Sequence, residues 1–295
     1  MTAEGRRGLS LSPSSIGTWN WCRQAWRYRY EQRLRRKGEA ARFAVGSIQH
    51  QALEALGGGA TPEEADAAAR AWVSRKEWRP RPPQEPEIRE ALEGAHETWA
   101  LVKRLWPGAR IEGVEEDVYA PLSALGVPGC EAEDDRFGGR VDLVLVDAFG
   151  RRHVVDYKRQ ARLKDAVSVE TLGPEALEGA RGAPRNLQAW IYALALEEAG
   201  RPVDEAWLLF RSPQGAKILR STPTPEALEW ARAALIRTAR AMRAAGGPED
   251  RTFPSAGSCF SFGEPCAYSA LCTAEVHGDE ATVKAERLTW ARLSR

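Results

Sequence analysis

The stretch that decides the fold runs from Gly139 to Gln160 and reads GRVDLVLVDAFGRRHVVDYKRQ. Two apolar runs rich in β-branched residues flank a short turn-forming segment, a pattern that predicts a β-hairpin with a three-residue turn at 148–150. Gly150 supplies the left-handed conformation that such a turn requires. Because antiparallel partners lie symmetrically about the centre of the turn, the hairpin makes Asp142 and Asp156 direct cross-strand neighbours.

A pair of carboxylates and a lysine then share one face of this hairpin. The side chains of Asp142 and Asp156 start about 5 Å apart, and the two-residue period of a strand places Lys158 beside them and turns Tyr157 away. Two close carboxylates repel each other unless a cation lies between them. Mg²⁺ and Mn²⁺ prefer oxygen ligands and keep positions open for water, so the pair predicts a divalent-metal site in which Lys158 orients the attacking hydroxide. The alternative is that the short Asp-x-Lys pattern arises by chance.

The hairpin lies among other strands, with helices before and after it in the sequence. Helix-like spacing of apolar residues and strand-like alternation together predict the α/β or α+β class. The predicted helices cover 13–36, 46–57, 62–78, 87–106, 185–199 and 224–245, and the predicted strands cover 111–122, 139–147, 152–158 and 205–211.

Composition excludes several classes of protein. The 295 residues carry a net charge of +1, so global charge favours neither a nucleic-acid nor a membrane partner. No apolar run approaches the roughly 18 residues of a membrane span, and the opening MTAEGRRGLS lacks the apolar core of a secretion signal. We therefore expect a chain without a membrane partner in a reducing, cytoplasmic compartment, where its five cysteines do not form disulfides.

Local charge, in contrast, is uneven. Residues 1–50 contain ten Arg and Lys against three Glu, whereas 112–147 contain ten carboxylates against two Arg. In the first segment, aromatic residues alternate with Arg27, Arg29 and Arg33, as in surfaces that neutralise phosphates and stack on bases. The alternative is a solvated amphipathic helix whose aromatic residues belong to the core.

At these residues the chain resembles the RecB-like branch of the PD-(D/E)XK nuclease superfamily, which includes the nuclease domains of recombination helicase-nucleases and the CRISPR adaptation nucleases. Five short motifs in the order of that branch carry the resemblance. They are Gly46-Ser47-Ile48-Gln49-His50, Val114-Glu115, Gly139-Arg140-Val141-Asp142, Val155-Asp156-Tyr157-Lys158 and Gln188-Ala189-Trp190-Ile191-Tyr192.

The resemblance implies roles for these residues in metal binding and catalysis. The implied metal ligands are His50, Asp142, Asp156 and the backbone carbonyl of Tyr157, with Glu115 near the metal directly or through water. Lys158 would help to activate water. The preceding valine favours Glu115 over Glu116, a choice that the strand pattern leaves open.

The last motif adds a polar pair on a helix. Gln188 and Tyr192 are four residues apart and therefore share one helix face. The resemblance implies that they act in the catalytic site, where they contact DNA or support Lys158.

The cysteines form a second signal. Cys259, Cys266 and Cys272 lie within fourteen residues of a polar segment, and Cys22 lies far upstream. Clustered thiols in a reducing compartment predict a metal centre, and their spacing leaves zinc, an iron-sulfur cluster and free cysteines open. One subgroup of the resembled branch has one cysteine before the fold and three after it, which implies a 4Fe-4S cluster on these four residues and leaves Cys130 as an unligated thiol.

These observations predict an α/β fold with a restriction-endonuclease-like core, a central mixed sheet flanked by helices, in which a metal cluster joins the N- and C-terminal segments. We expect a single nuclease domain over 1–295. Its parts are a basic, aromatic N-terminal region over 1–45, a helical part with His50 over 46–110, the catalytic sheet and Gln-x3-Tyr helix over 111–215, a helix over 216–250 and a cysteine-rich cluster tail over 251–295.

The expected function is hydrolysis of DNA phosphodiester bonds with Mg²⁺ or Mn²⁺, by an exonuclease that acts on single-stranded ends in recombination, repair or the processing of phage and mobile-element DNA. The sequence has no Walker-type phosphate loop, so a helicase would be a separate partner. Two alternatives stay open. One is a CRISPR adaptation nuclease that trims spacer precursors beside an integrase, and the other is a catalytically silent module that binds DNA ends.

Overall fold

A computed structural model describes most of the chain. The described residues are 8–36, 39–40, 43–79, 81–159, 167–168, 187–212, 215–245, 260–261 and 264–292. They fall into two compact units, one within Gly38–Ala120 and Phe137–Ala234, the other within Met1–Lys37, Pro121–Arg136 and Leu235–Arg295. Of the helices in these ranges, none combines the length and the apolar character that crossing a bilayer needs.

Five of the six predicted helices are observed, with ends that differ by up to four residues, whereas the predicted helix over 13–36 differs and the two helices after residue 268 were not predicted. The observed helices are α1 (Pro13–Trp21), α2 (Arg23–Trp26), α3 (Ala44–Gly57), α4 (Pro62–Ser74), α5 (Glu85–Leu105), α6 (Leu187–Glu198), α7 (Pro225–Ala244), α8 (Ser269–His277) and α9 (Glu280–Leu288).

The strands include all four predicted ones. They are β1 (Ser10–Leu11), β2 (Leu34–Arg36), β3 (Glu39–Ala40), β4 (Trp78–Arg79), β5 (Arg110–Pro121), β6 (Arg136–Val146), β7 (Arg152–Arg159), β8 (Val167–Ser168), β9 (Glu205–Ser212), β10 (Gly215–Ser221), β11 (Phe260–Ser261), β12 (Glu264–Pro265) and β13 (Trp290–Arg292).

The larger unit is built on a mixed sheet. Its strands lie in the order β6-β7-β9-β10-β8, and β5 pairs with β6. Strand β7 is antiparallel to β6 and parallel to β9. The predicted α/β class and the mixed sheet flanked by helices are therefore confirmed.

The hairpin register is also confirmed. Leu143 pairs with Val155 and Val146 with Arg152, so the turn is centred on Phe149. Gly150 adopts the left-handed conformation, with φ 81°. Asp142 and Asp156 lie one residue beyond the Leu143–Val155 pair, on the side away from the turn, so the symmetry of the hairpin places them opposite each other.

The sheet is covered by helices because alternate residues of its strands are apolar on one face. Leu143, Val155, Tyr157 and Leu209 lie in one core cluster with apolar residues of α3, α4 and α5. From Ala189 to Leu196, helix α6 is apolar or aromatic on every side, and each of these residues is buried. A helix of this composition has no solvent face and must pack inside the domain.

The smaller unit contains both ends of the described chain. Strand β2 pairs antiparallel with β13. The ring of Tyr28 lies 5.3 Å from that of Tyr268, and its hydroxyl donates a 2.7 Å hydrogen bond to Glu275. The N- and C-terminal segments are thus joined by packing and hydrogen bonds. That a metal cluster also joins them stays a prediction, and so does the single domain over 1–295.

The predicted helix over 13–36 is wrong as one element. It breaks at Cys22, whose backbone is extended, and resumes as α2 and a π-helical turn, Arg27–Glu31. Arg33 then adopts φ 54°, and the chain continues as β2. Helical periodicity continues through these residues, but pairing with β13, more than 250 residues away, overrides it.

The turn of the β6–β7 hairpin is held by a buried carboxylate. Asp147 accepts hydrogen bonds from the backbone N–H groups of Phe149 and Arg151, and its other oxygen lies 3.0 Å from His153 Nε2. Burial by itself raises the pKa of Asp147, but the hydrogen bonds from His153 and Arg151 hold it below its usual range overall. The ionised carboxylate therefore stabilises the fold.

We expect Asp147→Asn to lower the free energy of unfolding by about 1.5–3 kcal/mol at neutral pH, because hydrogen bonds to a charged group are lost. The difference from wild type should shrink as the pH falls below about 4, because the carboxyl then protonates in the unfolded state, where its pKa is ordinary, and in the folded state only at still lower pH. Urea unfolding followed by circular dichroism measures both. Asp66→Asn, which removes only a surface ion pair with His96, is the control and should change stability little. Equal stability of the Asp147 variant and wild type at pH 7 would contradict this role.

Candidate active site

Three strands and two helices of the larger unit bring most of the predicted site residues together. Helix α3 carries His50, β5 carries Glu115, β6 carries Asp142, β7 carries Asp156 and Lys158, and α6 carries Gln188 and Tyr192.

A histidine and two carboxylates form a possible metal-ligand set. His50 Nδ1 lies 3.0 Å from Glu115 Oε1 and 3.7 Å from Asp142 Oδ1. One ligand atom from each of the three residues lies within 4.8 Å of the others. Imidazole and carboxylate are ligands that divalent first-row metals accept, and carboxylates also suit Mg²⁺.

The hairpin register places Asp142 and Asp156 beside this set. Asp142 Oδ2 accepts a 2.6 Å hydrogen bond from the backbone N–H of Tyr157, which fixes the carboxylate across the two strands. Both carboxylates are buried, at 7% and 3% exposure. The part of the Tyr157 carbonyl in metal binding stays a prediction.

Asp156 is held from two other directions. Lys158 Nζ lies 2.7 Å from Asp156 Oδ2, and Gln188 Nε2 donates a 2.6 Å hydrogen bond to Asp156 Oδ1. Gln188 Nε2 also donates to the hydroxyl of Tyr192, 3.1 Å away, within α6. Gln188 therefore contacts a site carboxylate directly, whereas Tyr192 contacts Gln188. Among the described contacts, Gln188 is linked to Lys158 through the Asp156 carboxylate.

The structure distinguishes the two neighbouring glutamates of β5. Glu115 turns to His50, whereas the carboxylate of Glu116 pairs with the guanidinium of Arg201, at 2.6 and 3.1 Å. Glu115 has φ 47°, a left-handed conformation that costs a non-glycine residue about 1–2 kcal/mol. This irregularity interrupts the regular alternation of β5, so the strand pattern alone does not predict which of the two glutamates faces His50.

Arg201 is the site-region residue that the sequence did not reveal. It follows α6 and lies 85 residues from Glu116 along the chain. A single arginine after a helix has no local pattern that distinguishes it from other surface arginines, so only the folded structure identifies its partner.

Among the described residues, the positive charge near the two buried carboxylates compensates their burial only in part. Burial and the neighbouring Asp156 raise the pKa of Asp142 to about 7, and burial also raises that of Asp156 although Lys158 opposes it. Burial lowers the pKa of His50, but the hydrogen bond to Glu115 and the charge of Asp142 raise it overall. All three pKa shifts favour the protonated form of their group, because burial and the proximity of the carboxylates disfavour additional negative charge. A divalent cation at this position would replace the protons, so the residues present fit such an ion.

The cysteines lie in the smaller unit, as far as they are described. Cys22 is buried in an apolar cluster that includes Ala25, Leu34 and Leu271, and Cys266 and Cys272 pack against the same cluster. No three described cysteine Sγ atoms gather within 4.8 Å of one another, and none of the four described cysteines forms a disulfide. Cys259 lies outside the described residues.

The predicted DNA-binding arginines lie at the π-helical turn and just after it. Arg27 Nε is 3.6 Å from Glu31, one turn later. The guanidinium of Arg29 lies over the ring of Tyr30, 5.6 Å from its centroid, and Trp26 stacks near the same ring. The structure thus places aromatic rings and guanidinium groups side by side, as the sequence pattern predicts, while their contact with DNA stays a prediction.

Comparison with known proteins gives one informative match. No curated protein matches the chain. The crystal structure of SSO0001 is 12% identical, with 71% of this chain and 77% of that chain covered, but its TM-score of 0.31 is too low to bear on fold or function. The family model of the PD-(D/E)XK nuclease superfamily matches residues 10–273, which include every described site residue above. The observed mixed sheet flanked by helices is consistent with the restriction-endonuclease-like core of that superfamily. The chain belongs to the PD-(D/E)XK nuclease superfamily.

Proposed function

We propose that the chain is an Mg²⁺- or Mn²⁺-dependent exonuclease of the RecB-like branch that hydrolyses DNA from single-stranded ends, in recombination, repair or the processing of mobile DNA. Membership of the superfamily implies a metal-dependent nuclease that acts on DNA. The observation that carries the proposal is the ligand set of His50, Glu115 and Asp142 beside the Asp156–Lys158 pair. A separate helicase or an integrase is the expected protein partner.

His50, Glu115 and Asp142 would hold the metal, with Asp156 next to them. A bound Mg²⁺ or Mn²⁺ would supply Lewis acidity and a bound water of lowered pKa. The protein contributes the positions of the ligands: Tyr157 N–H fixes Asp142, and Gln188 fixes Asp156. Fixed ligands need no reorganisation when charge develops during the reaction.

Lys158 would act on the reacting phosphate group. Its ammonium contacts Asp156, and the side chain is 35% exposed, so it is held at the site and still open to solvent and substrate. A cation at this point would stabilise the negative charge that develops on the scissile phosphate and orient the attacking oxygen. Removal of this charge would slow the chemical step more than it weakens DNA binding.

We also propose that Cys22, Cys259, Cys266 and Cys272 bind a 4Fe-4S cluster. The shared apolar cluster around Cys22, Cys266 and Cys272 supports this, because an iron-sulfur centre needs thiolates from one locality with restricted solvent access. The thiolates of such a cluster bind different iron atoms and so lie farther apart than the ligands of a single ion. The absence of a tight trio among the described cysteines is therefore compatible with the proposal.

The nuclease proposal is tested by digesting end-labelled and circular DNA, single- and double-stranded, with Mg²⁺, Mn²⁺ or EDTA. We expect degradation of linear single strands with either metal and none with EDTA. Asp156→Asn and Lys158→Ala should each reduce the single-turnover cleavage rate at least about 100-fold while DNA affinity changes little.

Lys103→Ala, an exposed lysine of α5, is the matched control and should cleave at the wild-type rate. Cleavage by both site variants at the wild-type rate would place the active site elsewhere. DNA binding without cleavage by the wild-type chain would favour the catalytically silent module. Cleavage of circular DNA would show that the chain is an endonuclease and not an exonuclease.

The arginine surface is tested by neutralising Arg27, Arg29 and Arg33 together. Each contact with a single-strand phosphate that is lost should flatten the dependence of log K on log salt by about 0.7 units. Fluorescence anisotropy at several salt concentrations measures this slope. Neutralising the exposed Arg89, Lys103 and Arg104 of α5 removes the same charge and should leave the slope unchanged. An equal change in both triple variants would show a general charge effect.

The cluster proposal predicts a brown protein with about four irons per chain. The ligands of the cluster come from both ends of the chain, so the cluster closes a long loop and restricts the unfolded chain. Cys22→Ser should remove the iron and this restriction, and should therefore lower the melting temperature. Cys130→Ser, which changes another buried cysteine of the described residues, should do neither. Iron analysis and thermal unfolding measure the two effects. A colourless protein with stoichiometric zinc, or full iron content in the Cys22 variant, would overturn the proposal.

A further inference from the structure

The conformation of Glu115 is not explained by its own contacts. Its carboxylate meets His50, but its backbone is left-handed in the middle of β5, where an extended conformation is the rule. A residue in this region persists only where its neighbours fix the chain on either side.

The next residue is fixed by a two-pronged ion pair. Arg201 Nη1 and Nη2 each contact one oxygen of Glu116, at 2.6 and 3.1 Å, in a bidentate geometry that sets direction as well as distance. A Cβ atom on Gly113 would lie 2.1 Å from Glu116 Oε2, so the carboxylate is folded against the backbone at Gly113.

Arg201 is itself well placed to act as an anchor. Its backbone N–H donates a 2.8 Å hydrogen bond to the carbonyl of Leu196 in the last turn of α6, directly after Gly200 in the left-handed conformation that ends the helix. A second carboxylate of β5, Glu112, lies 3.8 Å from the same guanidinium and 2.7 Å from Arg152 Nε. The strand is therefore held before and after Glu115.

We propose that Arg201 is a positioning residue that holds Glu116, and through it the left-handed backbone of Glu115, so that the Glu115 carboxylate faces His50 and Asp142 in the metal site. Arg201 does not touch the ligands. Its effect is on the orientation of one of them, and residues that orient metal ligands typically change metal affinity or activity by about 10- to 100-fold when removed.

This inference rests on the proposed metal-dependent function. It is tested by titrating the 295-residue chain with Mn²⁺ in an isothermal calorimeter, with DNA absent. We expect Arg201→Ala and Glu116→Gln each to raise the half-saturating Mn²⁺ concentration about tenfold. Arg201→Lys keeps the charge but loses the two-pronged geometry, so its effect should be intermediate. Arg110→Ala, which removes a 69% exposed arginine paired with Glu112, is the matched control and should stay within about twofold of wild type.

A second arm separates positioning from a general loss of stability. In a Glu115→Gln background, Arg201→Ala should weaken Mn²⁺ binding no further, because the ligand that Arg201 positions is already impaired. Should Arg201→Ala fail to fold, Arg201→Lys and Glu116→Gln carry the same comparison. Wild-type affinity in the folded variants, or an undiminished effect in the Glu115→Gln background, would overturn the positioning role alone. Absence of Mn²⁺ binding by the wild-type chain, or binding that does not depend on Glu115, would overturn the metal site and this role together.

Discussion

The burial of two negative charges at adjacent positions of one hairpin is the constraint on which the site depends. Asp142 and Asp156 lose hydration on folding and repel each other, and both effects raise the pKa of Asp142. The surrounding contacts offset part of this cost. Tyr157 N–H and Gln188 donate hydrogen bonds to the two carboxylates, and Lys158 supplies a positive charge. Part of the negative charge of the two carboxylates is still uncompensated by the described contacts, and this makes the site suited to a divalent cation.

The hairpin could be predicted from the sequence because the residues that determine its turn and its register are close together in the chain. A three-residue turn with a glycine sets the pairing of every residue on both strands, and the alternation of apolar residues sets which face is buried. The placement of Asp142 and Asp156 on one face, and of Tyr157 on the opposite, core-facing side, follows from these two facts. The neighbourhood of His50 and Glu115 was reached only through the family resemblance, because residues on α3 and β5 meet the hairpin by tertiary packing that no spacing rule encodes.

The features that the sequence did not reveal depend on distant pairings or on single backbone angles. Strand β10 and its register with β9 were missed, and so was β2, whose partner lies near the other end of the chain. The choice between Glu115 and Glu116 rests on one residue with φ 47° and on an arginine 85 residues away from Glu116. Propensity and periodicity describe neighbours in sequence, so they do not report such contacts.

The left-handed backbone of Glu115 limits which residues this position can accept without losing either stability or a carboxylate. At position 115 a glycine would adopt the observed backbone angle without steric cost, but it would offer no oxygen to a cation. With Glu115 as the proposed metal ligand, stability and cleavage would therefore favour different residues at this one position. A chain released from the need to cleave could accept glycine there, whereas a chain that still cleaves would have to keep the strained acid.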